Sequence, residues 1–340
     1  MNKIERPRCL AAVTPLVHDK FLTPAHLAEL EECTDFKAVI REQWTQEEFR
    51  SLLLDFKPEI LVTGWHSPKL TEDLCREAVS VKALFHTAGT VRGTVDRFFI
   101  DQGGLVTNWG NTMAPSVAEG TFMMILASLR RVPHFHELMH HEQGWKKDDG
   151  KEICEGLFRR NVGLHGFGVI SRALVDLMAP FNCRVSTYSP HVPDELLAQY
   201  NVHRCESLEE LHAENHIVVN LASKIPANYH IINADILSRL HDGAHYILTG
   251  RGATVDTDAL VAELKSGRIF AALDVFEPEQ LPKDSPLRGL RNCLLIPCMA
   301  GPTPDCYSLM GEVVADNVRN YLAGKPLINP VAAKKYDLMT

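Results

Sequence analysis

A chain of 340 residues with 45% hydrophobic and 23% charged side chains has ordinary globular composition and is long enough for two domains. Its formal net charge of −8, with no block of lysine and arginine, gives no footprint for nucleic acid or an anionic membrane surface, so the expected partners are small molecules. No apolar run approaches a membrane span, Met1–Pro7 has no apolar signal segment, and nine cysteines without C-x-x-C spacing read as reduced thiols in a cytosol.

In chain order, Cys9–Val13, Glu59–Thr63 and Ala83–His86 read as buried strands, with helical stretches such as Thr23–Glu32 and Thr71–Ala78 between them. Pro115–Glu142 reads as a helix-forming segment that carries the chain from one half to the other, a natural interdomain hinge. Strands follow at Val162–Leu164, Arg184–Tyr188, Ile217–Leu221, Tyr246–Thr249, Ala271–Val275 and Cys293–Ile296. They alternate with helices, for example Asp256–Ser266, which ends at Gly267 as a helix C-terminus should. This alternation predicts parallel sheets with crossover helices, one in each half. Neither solenoid repeats nor low-complexity tracts occur.

The stretch Val162-Gly163-Leu164-His165-Gly166-Phe167-Gly168-Val169-Ile170-Ser171 places a glycine-rich turn between an apolar strand and an amphipathic helix, and reads as a dinucleotide site. Gly166 permits the tight turn, and Gly168 lets the backbone approach a pyrophosphate at the N-terminus of a helix starting near Val169 and Ile170. Ser171 stands where the third glycine of G-x-G-x-x-G normally lets helix and strand pack closely. His165 reads as a loop residue that could tune cofactor affinity.

Markers spread along nearly the whole chain then resemble the D-isomer-specific 2-hydroxyacid dehydrogenase family. In order they are Ala88-Gly89-Thr90-Val91, Val117-Ala118-Glu119, the glycine loop, Thr249-Gly250-Arg251-Gly252 with Val255-Asp256, Leu273 to Glu279, and Ala300-Gly301-Pro302-Thr303. The resemblance implies an α/β fold with two Rossmann-like domains: a flavodoxin-like substrate domain at 1–128 and 303–340, and an inserted cofactor domain at 129–302. It also implies hydride transfer between NAD or NADP and a small 2-oxoacid or D-2-hydroxyacid, in a cytoplasmic homodimer without metal.

Arg251 follows an apolar strand, where a guanidinium can hold a carboxylate bidentately and polarise the adjacent keto oxygen. Asp274 ends another strand and, with Phe167, Thr249 and Gly250, is expected along the cofactor. Glu279 matches the family's acid that orients a catalytic histidine, whereas Glu277 reads as a solvated turn residue. Gly89, Thr90 and Val91 follow the strand Ala83–His86 and can direct several N–H groups at a substrate carboxylate. Trp65 either walls the substrate cleft or packs between the domains.

Two departures bear on function. Where the family usually has an aspartate for the adenosine ribose, this chain has Ser189, followed by Pro190 and His191 rather than an arginine, so NADP is permitted but not specified. Where the family's histidine stands before x-A-G, Pro297-Cys298-Met299-Ala300-Gly301 has Cys298. A thiol is mostly protonated at neutral pH but has no second nitrogen for Glu279 to hold. Three routes stay open: Cys298 or Glu279 through water delivers the proton, the thiol adds covalently to an aldehyde, or the protein is a catalytically weak NAD(P)-binding sensor. His136 and His140 have zinc-compatible spacing without completing H-E-x-x-H and read as part of a partly exposed histidine-rich face with His134 and His141. Cys293, Cys298 and Cys306 lack zinc spacing, and Cys293 is expected buried in its strand.

Overall fold

Short apolar runs become the strands of two parallel sheets in the computed structural model, which describes residues 6–145, 154–337 and 339. β1 (Arg8–Val13), β2 (Asp35–Ile40), β3 (Ile60–Thr63), β4 (Ala83–His86) and β5 (Leu105–Thr107) lie in the order β2-β1-β3-β4-β5. This is the flavodoxin-like order. β1, β3 and β4 read clearly because their residues are apolar and buried. β2 and β5 were not anticipated: β2 is an edge strand carrying Asp35 and Lys37 on a partly exposed ribbon, and β5 has only three residues.

The second sheet contains β6 (Asn161–His165), β7 (Arg184–Tyr188), β8 (His203–Arg204), β9 (Ile217–Asn220), β10 (His245–Leu248), β11 (Phe270–Leu273) and β12 (Cys293–Leu295). Their order is β12-β11-β10-β9-β6-β7-β8, the doubly wound arrangement whose direction reverses between β6 and β9. Ligands in such sheets bind outside the carboxyl ends of the strands at that reversal. The helix Val169–Met178 buries Ser171, Leu174 and Met178 over the sheet, within a core that includes Val162, Leu164, Ile217, Val219 and Ile247. Each such aliphatic side chain contributes about 1.5–3 kcal/mol on burial.

Residues 1–113 with 302–340 form one compact unit, and 114–301 form the other. The expected boundary after residue 128 therefore moves one helix earlier. The helix Ala114–Leu129 buries Ala118, Met124, Ile125 and Leu129 in the core that contains β6, so packing assigns it to the second unit. The segment is also not one continuous helix. Arg131 takes a left-handed backbone at φ 51°, and a second helix, Val132–His140, begins with Pro133 in its first turn, where a missing N–H costs nothing. On it His136 and His140 are exposed and His134 is buried. The helix Ser308–Leu322 returns to the first unit, burying Met310, Val314 and Val318 against Cys9, Ala11, Ile60 and Val62. All nine cysteines are free, Cys293 is buried, and no helix among the described residues is long and apolar enough to cross a membrane.

Four buried histidines make the fold acid-sensitive. Burial pushes His86 and His212 down to about 4, and His165 and His245 down to about 3. In the unfolded chain each titrates near 6.5, so below that pH the unfolded state binds protons that the folded state refuses. Stability is fully present above about pH 6.5 and is lost as pH falls toward 4, by up to about 1.4 kcal/mol per pH unit for each histidine. Thermal melts should show the melting temperature dropping steadily between about pH 7 and about pH 5; a flat profile there would contradict neutral burial of these rings.

Candidate functional site

The glycine loop forms because β6 must turn sharply into a helix. Gly166 takes φ +93°, a conformation that disfavours any side chain, and its N–H donates to the Tyr188 carbonyl at 3.0 Å. The Leu221 N–H donates to the His165 carbonyl at 3.0 Å, joining the loop to the end of β9. Ser171 replaces the third glycine usefully: its hydroxyl, buried, donates to the Gly166 carbonyl at 2.8 Å. Gly168 caps the helix Val169–Met178, and nothing lies within 4 Å of where its Cβ would stand. The N–H groups of Phe167 and Gly168 donate to no other described residue. With Val169 and Ile170 opening the helix, an open cradle of free N–H groups at a positive helix end fits a pyrophosphate.

One reading of this region changes. His165 is not a loop residue: it ends β6, is 4% exposed and lies beside Tyr188, so its neutral ring sits in the core. The Phe167 side chain also turns inward, edge-on to Tyr200 at 5.7 Å, leaving its backbone for a ligand. Beyond β7, no arginine follows Ser189 in sequence, yet Arg204 of β8 reaches the same turn. Its guanidinium donates to the Ser189 carbonyl at 3.1 Å and the Val192 carbonyl at 2.5 Å, and pairs with Asp194 at 2.6 Å.

The chemistry-bearing side chains gather at the carboxyl ends of β10, β11 and β12. Thr249 shares a hydrogen bond with Thr121 at 3.0 Å, and the Gly250 N–H donates to the Asn220 carbonyl at 3.0 Å. Arg251 is exposed, with Nη1 on the Gly250 carbonyl at 2.8 Å, while its own carbonyl accepts from the Thr254 hydroxyl at 2.7 Å. At Gly252 a Cβ would lie 2.1 Å from the Phe276 carbonyl carbon, so only glycine lets this loop pack against the segment after β11. Asp274, 4% exposed, accepts through Oδ1 from the Met299 N–H at 2.6 Å and the Ala300 N–H at 3.0 Å. Burial pushes its carboxyl up, and these two N–H groups pull it back down.

Cys298 sits on that turn. It is exposed, holds φ 55°, and donates its N–H to the Asp274 carbonyl at 2.9 Å. Partial burial pushes the thiol above its ordinary range, Asp274 and Glu279 push it further, and Arg251 opposes them. Arg251, Asp274, Glu279 and Cys298 thus form one electrostatic group, in which Glu279 is exposed. Glu277 is not simply solvated: it is half-buried and accepts from His230 Nε2 at 2.7 Å. That pair spans 47 positions and has no local sequence signal.

In the first unit, Gly89, Thr90 and Val91 follow β4 as anticipated. Val91 is fully buried, and the three N–H groups donate to no other described residue. Asn108 fixes the turn, its Nδ2 donating to the Gly89 carbonyl and its Oδ1 accepting from the Gly110 N–H at 3.1 Å. The Trp109 N–H donates to the Ala88 carbonyl at 3.1 Å. Trp65 belongs to an aromatic cluster within this unit, at 6.2 Å from Trp109, 5.6 Å from Tyr307 and 5.1 Å from Phe21. Asn108, Trp109 and Tyr307 escaped the sequence reading because only the fold brings them to these positions.

Comparison with known proteins agrees with this geometry. The profile described as "D-isomer specific 2-hydroxyacid dehydrogenase, NAD binding domain" matches residues 122–300. The chain is 28% identical over 306 residues to glyoxylate/hydroxypyruvate reductase B of Yersinia pestis, covering 86% of this chain and 92% of that protein. It is 27% identical over 288 residues to D-3-phosphoglycerate dehydrogenase of Methanocaldococcus jannaschii, covering 84% of this chain but only 54% of that longer protein. In fold it resembles a glyoxylate reductase from Paecilomyes thermophila, with TM-score 0.79, 20% identity and 97% and 99% of the two chains covered. A profile match over more than half of the chain, spanning the glycine loop and the ends of β10 to β12, shows that this chain belongs to the D-isomer-specific 2-hydroxyacid dehydrogenase family and carries its NAD-binding domain.

Proposed function

We propose that the protein is an NAD(P)H-dependent reductase of a small 2-oxoacid, also able to oxidise the D-2-hydroxyacid, with Cys298 standing where the family's proton-transferring histidine stands. The observation that carries this reading is the group of Arg251, Asp274, Glu279 and Cys298 in the same unit as the open glycine loop. NAD(P)H held on that loop supplies the hydride. Arg251 binds the substrate carboxylate through its fork and polarises the keto oxygen. The oxygen takes its proton from Cys298 Sγ; the thiolate left behind is stabilised by Arg251 and reprotonated from solvent beside Glu279. Free thiols suit a cytoplasmic setting, and a homodimer is part of this reading. The rival, a catalytically weak NAD(P)-binding sensor, is favoured by Cys298 having no second nitrogen for Glu279 to orient.

Three measurements test these roles. Fluorescence titration should show saturable binding of NADH or NADPH, and the absence of an acid at Ser189 together with the nearby Arg204 favours NADPH. Ser189→Asp should move the affinity ratio toward NADH by at least about tenfold, or about 1.4 kcal/mol; an unchanged ratio would place residue 189 away from the ribose.

Arg251→Ala should leave cofactor affinity intact while lowering kcat/KM for glyoxylate or hydroxypyruvate by about 100-fold or more, roughly 3 kcal/mol. Arg251→Lys should recover little of it, since a point charge cannot reproduce the fork. An alanine variant that still turned over these acids normally would make Arg251 structural.

Cys298→His should raise turnover by up to about 100-fold, because a ring restored at that place can be oriented by Glu279. Wild type and the histidine variant both binding cofactor yet reducing no 2-oxoacid would turn the assignment to the sensor.

A further inference from the structure

A second group of ligand-type side chains lies in the 114–301 unit, at the amino ends of the strands, opposite to the end that carries the glycine loop. His245 is the first residue of β10, and His216 immediately precedes β9. Glu155 stands shortly before β6, anchored by its N–H on the Leu129 carbonyl at 2.9 Å. His216 Nε2 lies 2.7 Å from Glu155 Oε2, and His245 Nε2 lies 3.9 Å from Glu155 Oε1. One ligand atom from each residue falls within 4.8 Å of the other two.

His245 is the telling member. It is 1% exposed, stacked on Phe270 at 4.9 Å, and its Nδ1 shares a hydrogen bond with the Ser128 hydroxyl at 2.8 Å. Its Nε2 is buried and has no hydrogen-bond partner among the described residues. In the tautomer that donates Nδ1–H to the Ser128 hydroxyl, the Nε2 lone pair is turned toward a carboxylate oxygen across a gap too long for a hydrogen bond, and a cation held between the two would satisfy both.

We propose that Glu155, His216 and His245 form a binding site for a divalent transition ion of the zinc class. Two imidazole nitrogens and one carboxylate are a zinc-type donor set, and Ser128 supplies the outer partner that metal-bound histidines regularly have. Neither the hydride-transfer chemistry nor the cofactor needs this ion. It pins the chain at residue 155 to the amino ends of β9 and β10. The competitor is Arg160, whose Nη2 lies 2.8 Å from Glu155 Oε2 and whose Nε donates to the Gly156 carbonyl at 3.2 Å; its side chain is 38% exposed. Arg160 and His216 also line a shallow surface hollow with Glu214 and His241, which gives an ion its approach. By contrast, the exposed rings of His136 and His140, 4.5 Å apart, have no third ligand gathered around them among the described residues.

The test is titration of the tag-free, full-length protein with Co2+ as a spectroscopic stand-in for zinc, followed by displacement with Zn2+. One equivalent should bind with visible d–d bands and without near-ultraviolet thiolate charge transfer, which separates this site from nine free cysteines. His216→Ala, at a half-exposed position that leaves the core intact, should abolish the bands while NAD(P)H binding stays unchanged. Ser128→Ala should weaken the ion by about 10- to 100-fold. Arg160→Gln, which removes the competing cation, should tighten it. Absence of a stoichiometric band, a band that survives His216→Ala, or one lost only on mutating His136 and His140 would each overturn the proposal.

Discussion

The site depends on one buried carboxylate. Asp274 follows β11 and holds the turn after β12, accepting two N–H groups through Oδ1 and a third, from Cys298, through its backbone carbonyl. Hydrogen bonds to a charged acceptor contribute about 1.5–3 kcal/mol each, enough to hold a non-glycine residue at positive φ, where strain costs about 1–3 kcal/mol. Cys298 is that residue, and its exposed thiol is aimed by the clamp rather than by its own packing. Gly252, pressed on the Phe276 backbone, ties the loop after β10 to the same assembly, so Arg251 shares its foundation.

This arrangement sets the character of the thiol. Two carboxylates and partial burial keep the proton on sulfur, while one guanidinium steadies the thiolate that forms when the proton leaves. A histidine there would be both acid and held ring; a cysteine is a proton store with a weaker drive to give it up. General acid catalysis loses efficiency as the donor pKa rises above the working pH, so under the proposed reading reduction would run at a modest rate. The glycine loop carries no such compromise. Ser171 in place of a third glycine adds a hydrogen bond to the turn instead of opening it.

Much of this was legible from local sequence. Gly166 and Gly168 sit between an apolar strand and an amphipathic helix, and β4 and the Arg251 loop follow from short apolar runs ended by small residues. What was illegible is non-local or weakly apolar. β2 mixes charged and apolar residues because it lies at a sheet edge, and the break at Arg131 depends on Pro133 restarting a helix. Arg204 reaches Ser189 only because β8 pairs with β7, and Glu277 finds His230 only through the packing of two loops. His165 was misplaced because it was read as part of the glycine loop, whereas it ends β6 and is buried.

The most direct test of the central claim is the pH dependence of kcat/KM for 2-oxoacid reduction by the wild-type protein, which reports the ionisation of the free enzyme's acid. A thiol raised by partial burial and by Asp274 and Glu279 must stay protonated through neutral pH, so the rate should hold level there and fall only above the ordinary thiol value of about 8.5. A rate that falls with rising pH through about 6.5 would identify a histidine as the donor and contradict the role given to Cys298.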